Sequence, residues 1–236
     1  MSNKTTATST NWELIKLLLK HSRRVLQYGA PGTGKSHIAQ HEPHTGPVYN
    51  ITITDEMPSA ELRGHYVPKG GEFVWHDGPA LRAWREGGRL IINEIDKSSD
   101  DVRSFLLSYL DDKPTSAITL PTGETVRPHP QFQAVATMNG VPKDLPANLR
   151  SRFPVTVEII DPNPDAIAAL PADLQEAARG SCVNDNPELR INLRSWFEYA
   201  HLRGLIGTNY AAEAVFGKRA KDVLAGLNLA AAPSAS

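Results

Sequence analysis

Residues 29–36 read Gly29-Ala-Pro-Gly-Thr-Gly-Lys-Ser36, the spacing G-x-x-x-x-G-K-[ST] of a phosphate-binding loop. Glycines in this pattern let consecutive backbone N–H groups curl around a phosphate. The N-terminus of the helix that follows adds partial positive charge. The flanks supply the context this chemistry needs. Arg24-Val-Leu-Gln-Tyr28 reads as a short strand running into the loop, and Ser36–Gln40 opens a helix out of it. Lys35 is spaced to reach the β- and γ-phosphates and Ser36 to hold Mg²⁺. The candidate nucleotide-binding residues are Gly29, Pro31, Gly32, Thr33, Gly34, Lys35, Ser36 and His37.

Such a loop needs a second polar element on another strand to hold the metal and orient the attacking water. Arg89-Leu-Ile-Ile-Asn-Glu-Ile-Asp96 provides it. Its apolar run fits a strand covered on both faces, and its polar residues fall at the C-terminal end, where α/β sheets place their ligands. Glu94 is the candidate for activating water. Asn93 stands where an aspartate is usual; its amide oxygen can still accept a hydrogen bond, but the negative charge is gone. Asp96, three residues from Asn93, points elsewhere and substitutes only in part. Ser36, Asn93 and Glu94 form the candidate metal set.

Beyond these elements the chain alternates. A helix is expected over 12–20 with a broad apolar face and Asn11 as N-cap, and a strand over 47–53. Residues 62–75 hold Lys69-Gly-Gly71 and read as a hairpin or flexible insert. Residues 78–87 form a helix with Pro79 in its first turn and glycine at its end. An amphipathic helix follows over 100–110, a hairpin over 117–126 about Pro121-Thr-Gly123, and a strand over 132–138. Alternating strands and helices to about residue 158 imply a parallel α/β sheet. Asp161-Pro-Asn-Pro164 reads as a linker, and the Ala-rich remainder as helices over 165–180, 190–202, 210–216 and 218–226. The expected organisation is a disordered arm 1–10, a nucleotide-binding core 11–160, a helical lid 161–229 and a disordered tail 230–236.

The succession of phosphate loop, glycine-rich insert, Gly78-Pro-Ala-Leu81, Leu90–Asp96, hairpin, Ala136-Thr-Met-Asn139 and Leu145-Pro-Ala-Asn-Leu-Arg-Ser-Arg-Phe153 resembles the AAA+ ATPases. The likeness is strongest to their MoxR-like, dynein-related branch. It implies a P-loop NTPase fold, α/β with a parallel-sheet core and a small C-terminal all-helical lid. It implies ATP and Mg²⁺ as cofactors, with hydrolysis coupled to remodelling or activating a protein client. Nucleotide would lie between core and lid. By position, Asn139 resembles the sensor that contacts the attacking water or γ-phosphate. Arg152, or alternatively Arg150, resembles the arginine finger that completes a neighbouring subunit's site. Arg194 resembles a second sensor acting in cis. Lys35, Glu94, Asn139, Arg152 and Arg194 are therefore the candidate catalytic residues. The resemblance also implies a ring, as a hexamer, and a partner carrying a von Willebrand factor A domain. In relatives the two hairpins line a pore or touch clients, which makes Tyr66, Phe73 and Trp75 contact candidates; packing within the hairpin is the competing reading.

Two other readings stay open. One is a nucleic-acid motor or restriction-type subunit on the same core. The other is an ATP-binding scaffold that turns over weakly because of Asn93. With 25 Lys plus Arg against 26 Asp plus Glu the net charge is −1, so a globally basic nucleic-acid binder is not indicated. Lys16, Lys20, Arg23 and Arg24 form a local basic cluster that reads as one solvated helix face, with contact to an acidic partner or DNA as the competing reading. A single cysteine, Cys182, excludes an internal disulfide and a Cys-rich zinc site, and with no basic neighbour it reads as an inert loop thiol. His65 and His76 lack metal-ligand spacing. No apolar run reaches membrane-span length, and Met1–Thr10 lacks the apolar segment of a signal peptide, so a cytoplasmic location is expected.

Overall fold

The computed structural model describes residues 10–111, 116–184 and 186–231. The chain divides into two compact units, one of residues 11–29 and 35–158, the other of 1–10, 30–34 and 159–236.

The first unit begins with α1 (Trp12–His21), where the Asn11 side chain accepts from the Leu14 N–H at 2.9 Å. Trp12, Ile15 and Leu19 are buried while Leu14 and Leu17 are exposed, so the buried stripe is narrower than the broad face expected. Only positions three or four apart share one side of a helix. There follow β1 (Arg24–Gly29), α2 (Lys35–His41), β2 (Val48–Thr52) and the short α3 (Ser59–Arg63). The expected insert is the hairpin β3 (Gly64–Lys69) and β4 (Glu72–Asp77). In it the Tyr66 and Trp75 rings meet edge-on at 5.4 Å, while Phe73 is 75% exposed. Next come α4 (Pro79–Glu86), β5 (Arg89–Asn93), α5 (Asp100–Tyr109), the small hairpin β6 (Ile118–Thr119) and β7 (Thr125–Val126), β8 (Gln133–Met138), α6 (Ala147–Arg150) and β9 (Val155–Ile159). Pro79 occupies the first turn of α4, and Gly87 ends it at φ 66.

The sheet order is β2-β5-β8-β1-β9, and the pairings β2–β5, β5–β8 and β8–β1 are parallel. β5 and β8 are buried along their whole length, as central strands of a covered sheet must be. Trp84 stacks on Tyr109 at 4.8 Å, with Phe132 edge-on to both, and the Tyr109 hydroxyl donates to the Ala80 carbonyl. At the N-terminal end of β5, the fully buried Arg89 guanidinium donates to the carbonyls of Leu19, Ala39, Glu42 and Pro43 and to the Gln133 side chain. It thereby gathers C-terminal carbonyls of α1 and α2, with Gln133 Nε2 also donating to the Leu19 carbonyl.

The second unit contains α7 (Pro164–Ala168), α8 (Ala172–Cys182), α9 (Leu193–Ile206), α10 (Thr208–Phe216) and α11 (Ala220–Ala231). Its core is built on Trp196, Tyr199 and Phe216, with the Trp196 indole donating to Ser181 Oγ at 2.8 Å. Asp161-Pro-Asn-Pro164 is not a free linker. Asn163 caps α7 through bonds from Asp165 and Ala166 N–H, and Pro164 is the first helical residue, where its missing N–H costs nothing. Cys182 ends α8 rather than lying in a loop. It is buried, donates to the Ile191 carbonyl, and burial pushes its thiol up to about 12. Thr10 is tied down: its hydroxyl accepts from the Ile160 and Asp161 N–H groups and its own N–H donates to Asp161. The rest of the expected arm lies outside the described residues. α11 continues through Ala230 and Ala231 into the expected tail, consistent with alanine's helix propensity, and 232–236 lie outside the described residues.

Candidate functional site

Parallel pairing brings the C-terminal ends of the strands to one edge. Tyr28 is in register with Met138, Ile92 with Ala136, and Thr52 with Asn93. Gly29, Asn93 and Asn139 therefore emerge on the same side of the sheet, the side where α/β folds bind ligands.

The phosphate loop needs its glycines. Gly29, Gly32 and Gly34 have φ of 136°, 75° and 101°, in the region that disfavours side chains. A Cβ at Gly32 would also stand 2.3 Å from Asn192 Cβ, and one at Gly34 2.8 Å from Asn163 Cβ. The Asn163 N–H donates to the Thr33 carbonyl, and the Thr33 hydroxyl donates to the Ala30 carbonyl. Thr33 is buried and Pro31 exposed. Both asparagines cap helices, α7 and α9. Their place against the loop was not readable from the sequence, although Asn before a helical run is itself a visible cap signal.

Lys35 is 6% exposed, and its ammonium donates to the Gly29 carbonyl at 2.9 Å. Burial lowers it to about 8, against the opposing pull of the Asp96 and Glu94 carboxylates. The Ser36 hydroxyl donates a short hydrogen bond to Asn93 Oδ1, which also accepts from Thr137 Oγ1 at 3.2 Å. Asn93 Nδ2 donates to Asn50 Oδ1 at 2.5 Å and to the Ile51 carbonyl at 3.3 Å. The contact between the loop serine and residue 93 thus exists with an amide in place of the usual carboxylate.

Glu94 is the one non-glycine with positive φ among the described residues, at φ 56°, ψ 45°. Its carboxylate pairs with Lys97 Nζ at 2.5 Å. Asp96 Oδ1 is buried with no hydrogen-bond partner among the described residues. Asn139 is exposed at the end of β8, and Arg194 is exposed in the first turn of α9. Arg152 Nε donates to the Leu107 carbonyl at 3.2 Å, its Nη1 lies 3.9 Å from Asp111 Oδ1, and its side chain is 32% exposed. Arg150 Nη1 donates to the Pro142 carbonyl at 3.5 Å. His37 is exposed and stacks on His41 at 4.1 Å. The basic cluster is a solvated face except at Arg24: Lys20 and Arg23 are exposed and Lys16 pairs with Glu13 at the surface, whereas Arg24, the first residue of β1, is buried and donates to the Asp111 carbonyl.

Among the described residues, no three His, Cys, Asp or Glu side chains are grouped to hold a metal. Mg²⁺ keeps much of its water and is held beside phosphates by one or two hard oxygen donors. The Ser36 hydroxyl and Asn93 amide oxygen are such donors, with the Asp96 and Glu94 carboxylates close enough to act on Lys35.

A glycine loop after the first strand of a parallel sheet, with a buried lysine and a serine bonded to the end of β5, two strands away across β8, defines a P-loop nucleotide-binding protein. The profile of the AAA domain (dynein-related subfamily) matches residues 24–153, and the chain belongs to that family. It is 36% identical to protein NorQ of Paracoccus denitrificans over 59% of this chain and 53% of that one. It is 30% identical to the denitrification regulatory protein NirQ of Stutzerimonas stutzeri over 60% and 53%. The chain spans about half the length of the curated relatives it matches. NtrX of Brucella abortus, solved in complex with ADP, shares the fold at a TM-score of 0.56 and 16% identity, over 81% of this chain and 48% of that one. No helix among the described residues is long and apolar enough to cross a membrane.

Proposed function

We propose that this chain hydrolyses ATP with Mg²⁺ in a ring of subunits, a hexamer by family likeness, and that the cycle remodels or activates a protein client. The observation that carries the reading is the hydrogen bond from Ser36 to Asn93, which keeps the loop serine tied to the strand end without the usual aspartate. Magnesium, when bound, supplies charge neutralisation on the β- and γ-phosphate oxygens. Lys35 leaves the Gly29 carbonyl for those oxygens, and the loop N–H groups cradle the β-phosphate. Glu94, released from Lys97, accepts the proton of the attacking water, and Asn139 orients that water. Arg194 neutralises γ-phosphate charge in cis. Arg152, released from Leu107 and Asp111, does so for the neighbouring subunit; such a contact is worth on the order of 10³-fold in rate. The name of the NirQ relative, a denitrification regulatory protein, points to regulation, so a regulated protein partner, possessing a von Willebrand factor A domain as family likeness implies, is the client class. A cytoplasmic location goes with this reading.

Steady-state phosphate release with ATP and Mg²⁺ tests it, with Lys35→Ala as the blank and Asn93→Asp alongside. Wild-type release above the blank is the expected result. Turnover by Asn93→Asp alone, with wild type binding ATP but inert, would instead make the chain a nucleotide-gated scaffold. Stimulation by DNA would redirect the client assignment to nucleic acid.

A further inference from the structure

Asn93 makes all the hydrogen bonds an amide can make. Its oxygen accepts from Ser36 and Thr137, and its amino group donates to Asn50 Oδ1 and to the Ile51 carbonyl. The Ile51 carbonyl can only accept, so the group facing it must be the amino end. Asn50 is held in turn, because its Nδ2 donates to Gln40 Oε1 at 3.3 Å, leaving its own oxygen for Asn93. The result is one directed chain from Ser36 through Asn93 and Asn50 to Gln40, crossing from α2 to β5 to β2 and back to α2. An aspartate at 93 would lose both donors and set a carboxylate oxygen against the Ile51 carbonyl and the Asn50 oxygen.

We propose that Asn50 is a positioning residue: it fixes the Asn93 amide so that oxygen, not the amino group, faces Ser36, and so makes an asparagine serviceable at this position. The site is built around an amide, and an aspartate at 93 does not repair it. The inference rests on the magnesium-nucleotide reading above.

The test is calorimetric binding of a non-hydrolysable ATP analogue to the full chain, with Mg²⁺ and with EDTA. The quantity read is the Mg²⁺-dependent gain in affinity. Loss of one orienting hydrogen bond should cut that gain roughly three- to tenfold in Asn50→Ala, with EDTA affinity unchanged. Asn50→Asp, which keeps the acceptor, should restore it to within about twofold. In an Asn93→Asp background, whose carboxylate oxygens are equivalent, Asn50→Ala should have no such effect. A second readout needs no nucleotide. The Asn93 side-chain NH₂ resonances, identified by their loss in Asn93→Asp, should be protected from exchange in wild type and Asn50→Asp and unprotected in Asn50→Ala. The proposal is overturned if Asn50→Ala matches wild type in both readouts, or if Asn50→Asp fails as badly as Asn50→Ala. It also fails if Asn93→Asp binds Mg²⁺-nucleotide more tightly than wild type. A wild type whose affinity ignores Mg²⁺ would overturn the magnesium-nucleotide reading itself, whatever the NMR shows about Asn50.

Discussion

Glu94 holds φ 56° and ψ 45°, a conformation that costs an L-residue roughly 1–2 kcal/mol. Backbone strain of this kind persists where a side chain must be aimed, and here it sets the carboxylate beside Lys97 at the edge that carries the phosphate loop. Glu94→Gly should therefore leave stability unchanged or raise it by up to about 1 kcal/mol in a denaturant titration, while phosphate release falls to the Lys35→Ala blank. Lys35 makes the second prediction. Burial depresses its ammonium from 10.5 to about 8, so between those values the native state holds fewer protons than the unfolded chain. Its burial penalty is full below pH 8 and fades as pH rises through that window, a contribution that makes stability rise with pH there. Nucleotide binding runs the other way. Phosphates favour the charged lysine, so affinity should fall above pH 8 by up to about tenfold per pH unit, with proton uptake on binding measurable by calorimetry in buffers of different ionisation enthalpy.

Elements are joined by a few polar contacts that no periodicity announces. Arg89 begins β5 as the one charged residue before an apolar run, yet it is fully buried against four carbonyls from α1, α2 and the turn after it. Arg89→Met should cost about 3 kcal/mol or more, because it takes the donor from the Ala39, Glu42 and Pro43 carbonyls and from Gln133 Oε1, and urea unfolding measures it. The hairpin β3–β4 separates its aromatic residues in a way the sequence could not. Tyr66 and Trp75 pack on each other across the strands, and Trp75 Nε1 donates to Asp77. Phe73 projects furthest, at 75% exposed against 43% for Tyr66, which makes it the foremost contact candidate. Strand and helix positions were legible because apolar period and turn residues are local signals. Which polar residues would face one another across strands was not, since register is a tertiary property.

For the whole molecule, the question is whether one chain completes its own site. Arg152 is half-buried and held by one 3.2 Å hydrogen bond and a 3.9 Å ion pair at the end of α5. A finger that acts on a neighbour predicts complementation. Lys35→Ala and Arg152→Ala chains should each be inactive alone, and mixing them should recover a fraction of wild-type phosphate release. A mixture that stays at the blank would show that Arg152 does not act in trans.

By itself the sequence determined the phosphate loop, the strand that ends in Asn93-Glu94, the alternation that makes a parallel sheet, and through their order the AAA family. These are properties of neighbours along the chain: glycine spacing, apolar runs, caps and turns. Only the tertiary structure decided that the Asn93 amide is saturated by Ser36, Thr137, Asn50 and Ile51, that Lys97 holds Glu94, and that Asn163 and Asn192 close against the loop glycines. Most of these contacts join residues far apart in sequence, so the parallel register and chain packing bring them together. Lys97, though only three residues from Glu94, meets it because the left-handed turn at Glu94 leads directly into the short helix Ile95–Lys97.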